Sequence, residues 1–189
     1  ARVNAQNAGV SDRVIFLREN IFRTDFSQAS VVTMFLLTTI NEQLRPKLLD
    51  ELRPGTRVIS HKFGMGDWAP DRHIALAGPS ATTQEIFMWV IPARAAGIWH
   101  AESKYQKINL VIEQQFQKIN ILANLNTDSL WVNYSKIHGR RLAFTGSTGD
   151  TRYQFSGIIE SDTLTGYIQR HQSASSSVEF IQFVRDSYR

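Results

Sequence analysis

The apolar residues of this chain change their spacing once, near Pro70-Asp71, and that change limits what the chain can fold into. Before it, the apolar runs are short and lack alternation: Val14 to Leu17, Ser30 to Leu37 and Thr56 to His61. Such runs suit strands covered on both faces, as in a parallel sheet. Between the second and third lie Leu44, Leu48, Leu49 and Leu52 at helical spacing, with Asn41 as a candidate cap and Pro54-Gly55 as the stop. Residues 1–9 predict the last turns of a helix, ended at Gly9 because glycine tolerates the left-handed conformation of a helix end. Residues 1 to about 75 therefore read as strand-helix-strand units of a doubly wound α/β sheet.

After Pro70-Asp71 the apolar residues alternate with polar ones. The segments Lys107 to Phe116, Ser129 to Tyr134, Arg141 to Phe144, Arg152 to Phe155, Asp162 to Ile168 and Val178 to Val184 are short and separated by Gly, Asn and Asp turns. A brief serine-rich loop, Ser173 to Ser177, precedes the last of them. This predicts an antiparallel meander, closed as a small barrel or left as a curved sheet. Glu85 to Ile91 fits either region. The aromatic residues Trp89, Trp99, Trp131, Tyr134, Phe144, Tyr153 and Phe155 would form either its core or a binding surface.

Several chemistries have no support in the sequence. The chain has no cysteine, which excludes disulfides, cysteine-based zinc sites and a thiol nucleophile. The net charge of +4 is scattered rather than clustered, so no nucleic-acid footprint is expected, and no apolar stretch is long enough to span a membrane. A Gly-x-Gly-x-x-Gly turn, a phosphate loop, a Gly-x-Ser-x-Gly elbow and a His-Glu-x-x-His pair are all missing, and the five histidines are not at metal-ligand spacing.

The run from Leu44 through Arg-Pro-Lys-Leu-Leu-Asp-Glu-Leu-Arg-Pro-Gly-Thr-Arg-Val-Ile-Ser-His-Lys-Phe-Gly-Met-Gly-Asp to Trp68, with Pro70-Asp71 and the earlier Val-Ser-Asp-Arg-Val-Ile-Phe and Ala-Ser-Val-Val-Thr-Met-Phe-Leu-Leu, is distinctive. It resembles bacterial class I S-adenosylmethionine-dependent methyltransferases over Asn4 to Asp71, and more loosely through Phe87 to Pro92 and Ala96 to Trp99. The resemblance implies an incomplete Rossmann-like parallel sheet within residues 1–99, followed by a small antiparallel β region at 100–189. Residues 1–8 would be the helix after the ribose-binding acidic residue, Val14 to Asn20 the third strand, Val31 to Leu37 the fourth and Arg57 to Phe63 the fifth. The family's Gly-rich loop and ribose-binding carboxylate have no counterpart here. Together with a start inside a helix, this predicts either the C-terminal portion of a longer enzyme or a chain that has lost the activity.

The implied cofactor is S-adenosylmethionine, and the acceptor is unidentified, with a protein lysine as one candidate. Glu19 and Asn20 would accept from the adenine amino group, with Ile21 against the ring, and Phe35 and Leu36 would also face the cofactor. Thr38 and Asn41 would line the acceptor side, and Trp68 would stack on the acceptor or hold a lysine ammonium over its ring. His61, assisted by Asp67, would keep the acceptor unprotonated while the protein aligns the in-line displacement. Plainer roles stay open for each: a polar loop, sheet core, a helix cap, a turn, and for Trp68 a plug between the two regions. The rival reading is a non-catalytic module whose β region binds a protein or an apolar ligand. Exposed strand edges would also allow pairing with another chain. The need for a cofactor pool points to the cytoplasm.

Overall fold

The computed structural model describes residues 1–78, 83–104, 106–173 and 175–186. It opens with α1 (Arg2–Asn7), which ends as expected. Gly9 takes φ +64, its N–H donates to the Gln6 carbonyl, and the Val10 N–H donates to the Ala5 carbonyl, a Schellman closure.

Four strands, β1 (Val31–Met34), β2 (Arg57–His61), β3 (Arg72–Ala77) and β4 (Thr83–Val90), form a sheet in the order β1-β2-β4-β3. Only β1 and β2 are parallel neighbours. β4 runs antiparallel to both β2 and β3, so the expected parallel sheet is corrected to a mixed one. The long helix α2 (Thr38–Glu51) connects β1 to β2. Leu44, Leu48 and Leu52 from α2 and the residue after it meet Met34, Val58, Trp89 and Ile91 in one core.

Residues 14–17 do not form the expected third strand. Ile15 is 84% exposed and Val14, Phe16 and Leu17 are exposed with it. In the doubly wound order 3-2-1-4-5-6 a third strand lies beside the second, not beside the fourth. The free edge of β1 belongs, in that order, to a first strand, and the second strand that would pair with residues 14–17 is not among the described residues, so the run gains no ladder. Asn41 is not the helix cap either. α2 starts three residues earlier with Leu37 as its N-cap and no side-chain cap.

The second region is larger and more regular than a small meander. β5 (Gly97–Glu102), β6 (Lys107–Gln115), β7 (Lys118–Leu125), β8 (Asp128–His138), β9 (Arg141–Thr148), β10 (Thr151–Glu160), β11 (Thr163–Gln172) and β12 (Ser175–Arg185) close into an eight-stranded antiparallel barrel. β5 and β7 were not expected from the sequence. The serine-rich loop shrinks to the β11–β12 turn, and its residue 174 lies outside the described residues. Closure rests on β12 meeting β5 through Val184–His100 and Arg185–Trp99. The alternation places Trp99, Phe144, Tyr153, Phe155 and Phe183 inside, where Phe144 stacks on Phe155 at 5.2 Å. Trp131 and Tyr134 point outward, while Trp89 belongs to the core of the first sheet. Gly157 and Gly166 pair directly across β10 and β11.

Residues 91–96 link the two regions, so the expected division at 99 falls inside β5. The β6–β7 turn docks the barrel onto the sheet. Phe116, at φ +55, stacks on Trp68 at 5.4 Å, and Gln117 accepts from Trp68 Nε1 at 2.6 Å while donating to the Ala69 carbonyl at 2.6 Å.

Candidate functional site

Open α/β sheets hold ligands outside the carboxyl ends of their parallel strands. Here that edge is built from the ends of β1 and β2 and the start of α2. Phe35, directly after β1, is 75% exposed, and its ring stacks on His61 with centroids 5.2 Å apart. His61 closes β2, and its Nε2 lies 2.7 Å from Gln84 Oε1 of β4. The imidazole is thus held between a ring and an amide, with one face of the pair open. Lys62, the next residue, takes the left-handed conformation at φ +71, a geometry that non-glycine residues adopt where the surroundings enforce it.

Asn41 lies beneath this edge and is fully buried. Its Nδ2 donates to Ser60 Oγ at 3.2 Å and to the carbonyls of Phe63 at 3.2 Å and Gly64 at 3.1 Å. One amide therefore ties α2 to the end of β2 and to the loop that follows. Its Oδ1 is buried without a partner, an arrangement that costs free energy. Thr38, in the first helical turn, is half-buried, and the N-terminus of α2 lacks a side-chain acceptor.

The loop after β2 is held from the helix side. Arg45 Nη1 donates to the Met65 carbonyl at 2.8 Å and to Asp67 at 2.5 Å, and its guanidinium lies 5.0 Å from the centre of the Phe116 ring. Asp67 is thereby paired with Arg45, and no hydrogen bond joins it to His61. Trp68 is 1% exposed, is bridged to Met65, and its carbonyl accepts from Trp89 Nε1 at 2.9 Å. Its ring is the plug between sheet and barrel; no face of it is open to stack on an acceptor.

Glu19, Asn20 and Ile21 sit on a separate turn. Asn20 Oδ1 accepts from the Phe22 N–H at 2.9 Å, and Glu19 accepts from the Thr24 hydroxyl at 3.2 Å. Both side chains are exposed, whereas Ile21 and Leu36 pack against the core beneath β1 and α2. The structure thus brings Phe35, His61, Thr38 and Asn41 to one edge, places Ile21 and Leu36 behind it, and puts Asp67 and Trp68 on the loop that flanks it. Arg45, Gln84, Phe116 and Gln117 organise the same region but carry no sequence signal, because each acts through partners 20 or more residues away. Among the described residues no group of three or more His, Asp or Glu could hold a metal ion.

Residues 1–72 match the family of the ANTKMT methyltransferase domain. A protein-lysine N-methyltransferase of Saccharolobus islandicus (strain REY15A) is 43% identical over 91 residues, which cover 48% of this chain and 56% of that protein. The adenine nucleotide translocase lysine N-methyltransferase of Mus musculus is 33% identical over 70 residues, covering 37% of this chain and 31% of its own length. A solved structure described as an RNA methyltransferase from Salinibacter ruber in complex with S-adenosyl-L-homocysteine is 46% identical, covers 49% of this chain and 57% of that one, and has a TM-score of 0.45. The chain spans little more than half the length of the Saccharolobus relative and less than a third of the mouse one.

Proposed function

We propose that this chain is part of an S-adenosylmethionine-dependent protein-lysine N-methyltransferase, with the catalytic side in its first half. The 43% identity over 91 residues with a protein-lysine N-methyltransferase carries this reading. The β1–β2 edge, together with the separate turn of residues 19–21, suits one side of a nucleoside cofactor. Glu19 and Asn20 offer exposed acceptors for an adenine amino group, Phe35 offers an exposed ring, and Ile21 and Leu36 form the apolar floor behind them. A Gly-rich turn and a ribose-binding carboxylate are the parts of such a pocket with no counterpart in this sequence.

The bound cofactor supplies an electrophilic methyl carbon on a sulfonium. Methylation of a lysine forms the N–C bond as the S–C bond breaks, and the amine must first lose a proton. In this reading His61 takes that proton, fixed in place by Phe35 and Gln84. Thr38 lines the acceptor side at the start of α2, and Asn41 positions the edge by tying α2 to residues 63 and 64. Asp67 and Trp68 act through the loop they hold. Such an enzyme belongs where the cofactor pool is, in the cytoplasm, and no described helix is long and apolar enough to cross a membrane.

The rival reading, a non-catalytic module whose β region binds a protein or an apolar ligand, calls in its apolar-ligand form for a cavity in the barrel. The barrel interior is instead filled by packed rings and aliphatic side chains, and the opening among Ser103, Ile108, Tyr153 and Ile168 holds only about 20 Å³. Labelled S-adenosylmethionine offered with a lysine-containing peptide, both to this chain and to the product of the full reading frame encoding it, tests the proposal. Label on the lysine Nζ with the full product supports it; no transfer and no cofactor binding by either protein overturns it.

A further inference from the structure

Three of the four tryptophans, Trp68, Trp89 and Trp99, are 1% exposed or less, whereas Trp131 stands on the outer face of β8 with 74% of its surface exposed. An exposed ring of that size on a barrel with a filled core contributes nothing to the core, so its surroundings indicate what it meets. Leu122 of β7 and Tyr134 of β8 are exposed beside it, at 62% and 51%. The Ala123–Leu130 pair places Leu122 and Trp131 on the next rung of the same outer face. At the end of this face nearest the sheet, beside the turns that follow β6 and β8, Lys118, Lys136 and Arg141 are exposed on three consecutive strands. No carboxylate pairs with any of the three among the described residues. The acidic neighbours are Glu113, opposite Asn120 on β6, and Glu160 of β10, which pairs with Arg140; neither makes an ion pair with the three. Like charges on adjacent strands repel, and a set left without counter-charge suits an anionic partner.

We propose that the outer face of β7–β9 docks on an anionic lipid bilayer. Leu122, Trp131 and Tyr134 enter the headgroup region, and Lys118, Lys136 and Arg141 face its phosphates and carboxylates. Indole and phenol rings partition to that interface, and cations at a barrel end add an attraction that salt weakens. The face is convex and includes an aliphatic residue, whereas a single-stranded nucleic acid needs a groove and successive stacking rings. The barrel itself does not resemble a membrane-spanning one, since its interior is apolar and its outer face is largely polar. The inference is independent of the methyl-transfer reading.

Because the other three tryptophans are buried, Trp131 is a built-in reporter for iodide quenching. Vesicles of phosphatidylcholine containing a minority of phosphatidylserine are expected to shift its emission to the blue, shield it from iodide and co-sediment with the full chain. Pure phosphatidylcholine vesicles should do so at least about tenfold more weakly, and the Lys118→Glu/Lys136→Glu variant should lose binding to the anionic vesicles by a similar factor. Both lysines are exposed, so near-ultraviolet circular dichroism should show the variant folded; Trp131→Ala provides a second variant with the charges intact. The proposal is overturned by equal binding to both vesicle types or to neither, or by undiminished binding of the charge-reversed variant. Shielding of Trp131 by a single-stranded oligonucleotide alone, or by rising protein concentration without lipid, would overturn it in favour of a nucleic acid or a second copy.

Discussion

At the scale of single residues, His100 has a consequence that can be measured. It lies on the outside of β5 at the seam where the barrel closes. Its Nδ1 is 2.8 Å from Asn109 Oδ1 on β6 and its Nε2 is 2.8 Å from Asp186 Oδ2 beyond β12. The hydrogen bond with Asn109, then that with Asp186 together with its charge, raises the imidazole pKa above its ordinary 6.5, against a smaller opposing effect of desolvation. A histidine whose pKa is raised on folding stabilises the fold fully below the unfolded value of 6.5, and that contribution is lost as the pH climbs through the folded value. The seam should therefore weaken on going from acid to neutral and alkaline pH. Proton NMR titration should place the His100 midpoint above 6.5, and Asn109→Ala should move it down. A midpoint that stays put in that variant would show that Asp186 alone sets it.

Strands and turns carry the next level. Gly157 and Gly166 face each other across β10 and β11, and each occupies space another residue would need. A methyl group on Gly166 would press on the Ser156 carbonyl and come within 2.5 Å of Gly157 Cα, and one on Gly157 would lie 2.6 Å from the Phe155 ring. Those rings fill the barrel because two glycines make room, so Gly166→Ala should cost about 1–3 kcal/mol in urea unfolding. Gly64→Ala, where the added atom meets nothing within 4 Å, should stay within about 0.5 kcal/mol. Equal effects of the two substitutions would mean that barrel packing does not depend on this pair. The elements themselves were unevenly legible from the sequence. The leucines of α2, the helix end at Gly9 and six barrel strands announce themselves through periodicity and turn residues, because those signals are local. Residues 14–17 look like a strand by composition and are not one, because the neighbour that would pair with them is not among the described residues. The pairing of β12 with β5, which turns a meander into a barrel, joins residues more than 80 positions apart and leaves no local mark. At the candidate site, Phe35 and His61 were readable as strand-end residues. The burial of Trp68 and the reach of Asn41 to residues 63 and 64 depend on tertiary contacts that no spacing encodes.

In the whole molecule, the two regions are coupled through the β6–β7 turn, with the β8–β9 turn beside it, where Gly139 lies against Gly55. Phe116 lies between Trp68 and the Arg45 guanidinium, Gln117 bonds twice to the Trp68–Ala69 segment, and Gln114 just before them binds the Ala93 and Phe116 carbonyls and the Ala95 N–H. Arg45 and Trp68 also fix the loop that flanks His61, so the barrel braces the candidate site without contributing a residue to its open edge. Each region has its own core, and the two should unfold together while contacts such as this one hold. Phe116→Ala removes a half-buried ring and should cost about 2 kcal/mol. Combined with Gln117→Ala, it should split a single calorimetric transition into two, the barrel being the more stable part because its strands close on one another with no free edge. If the double variant still melts in one transition at an unchanged midpoint, the turn is not the joint, and the coupling runs through the link at 91–96 with its Ala93–Gly139 hydrogen bond, the Gly139–Gly55 contact and the Arg94–Asp50 ion pair.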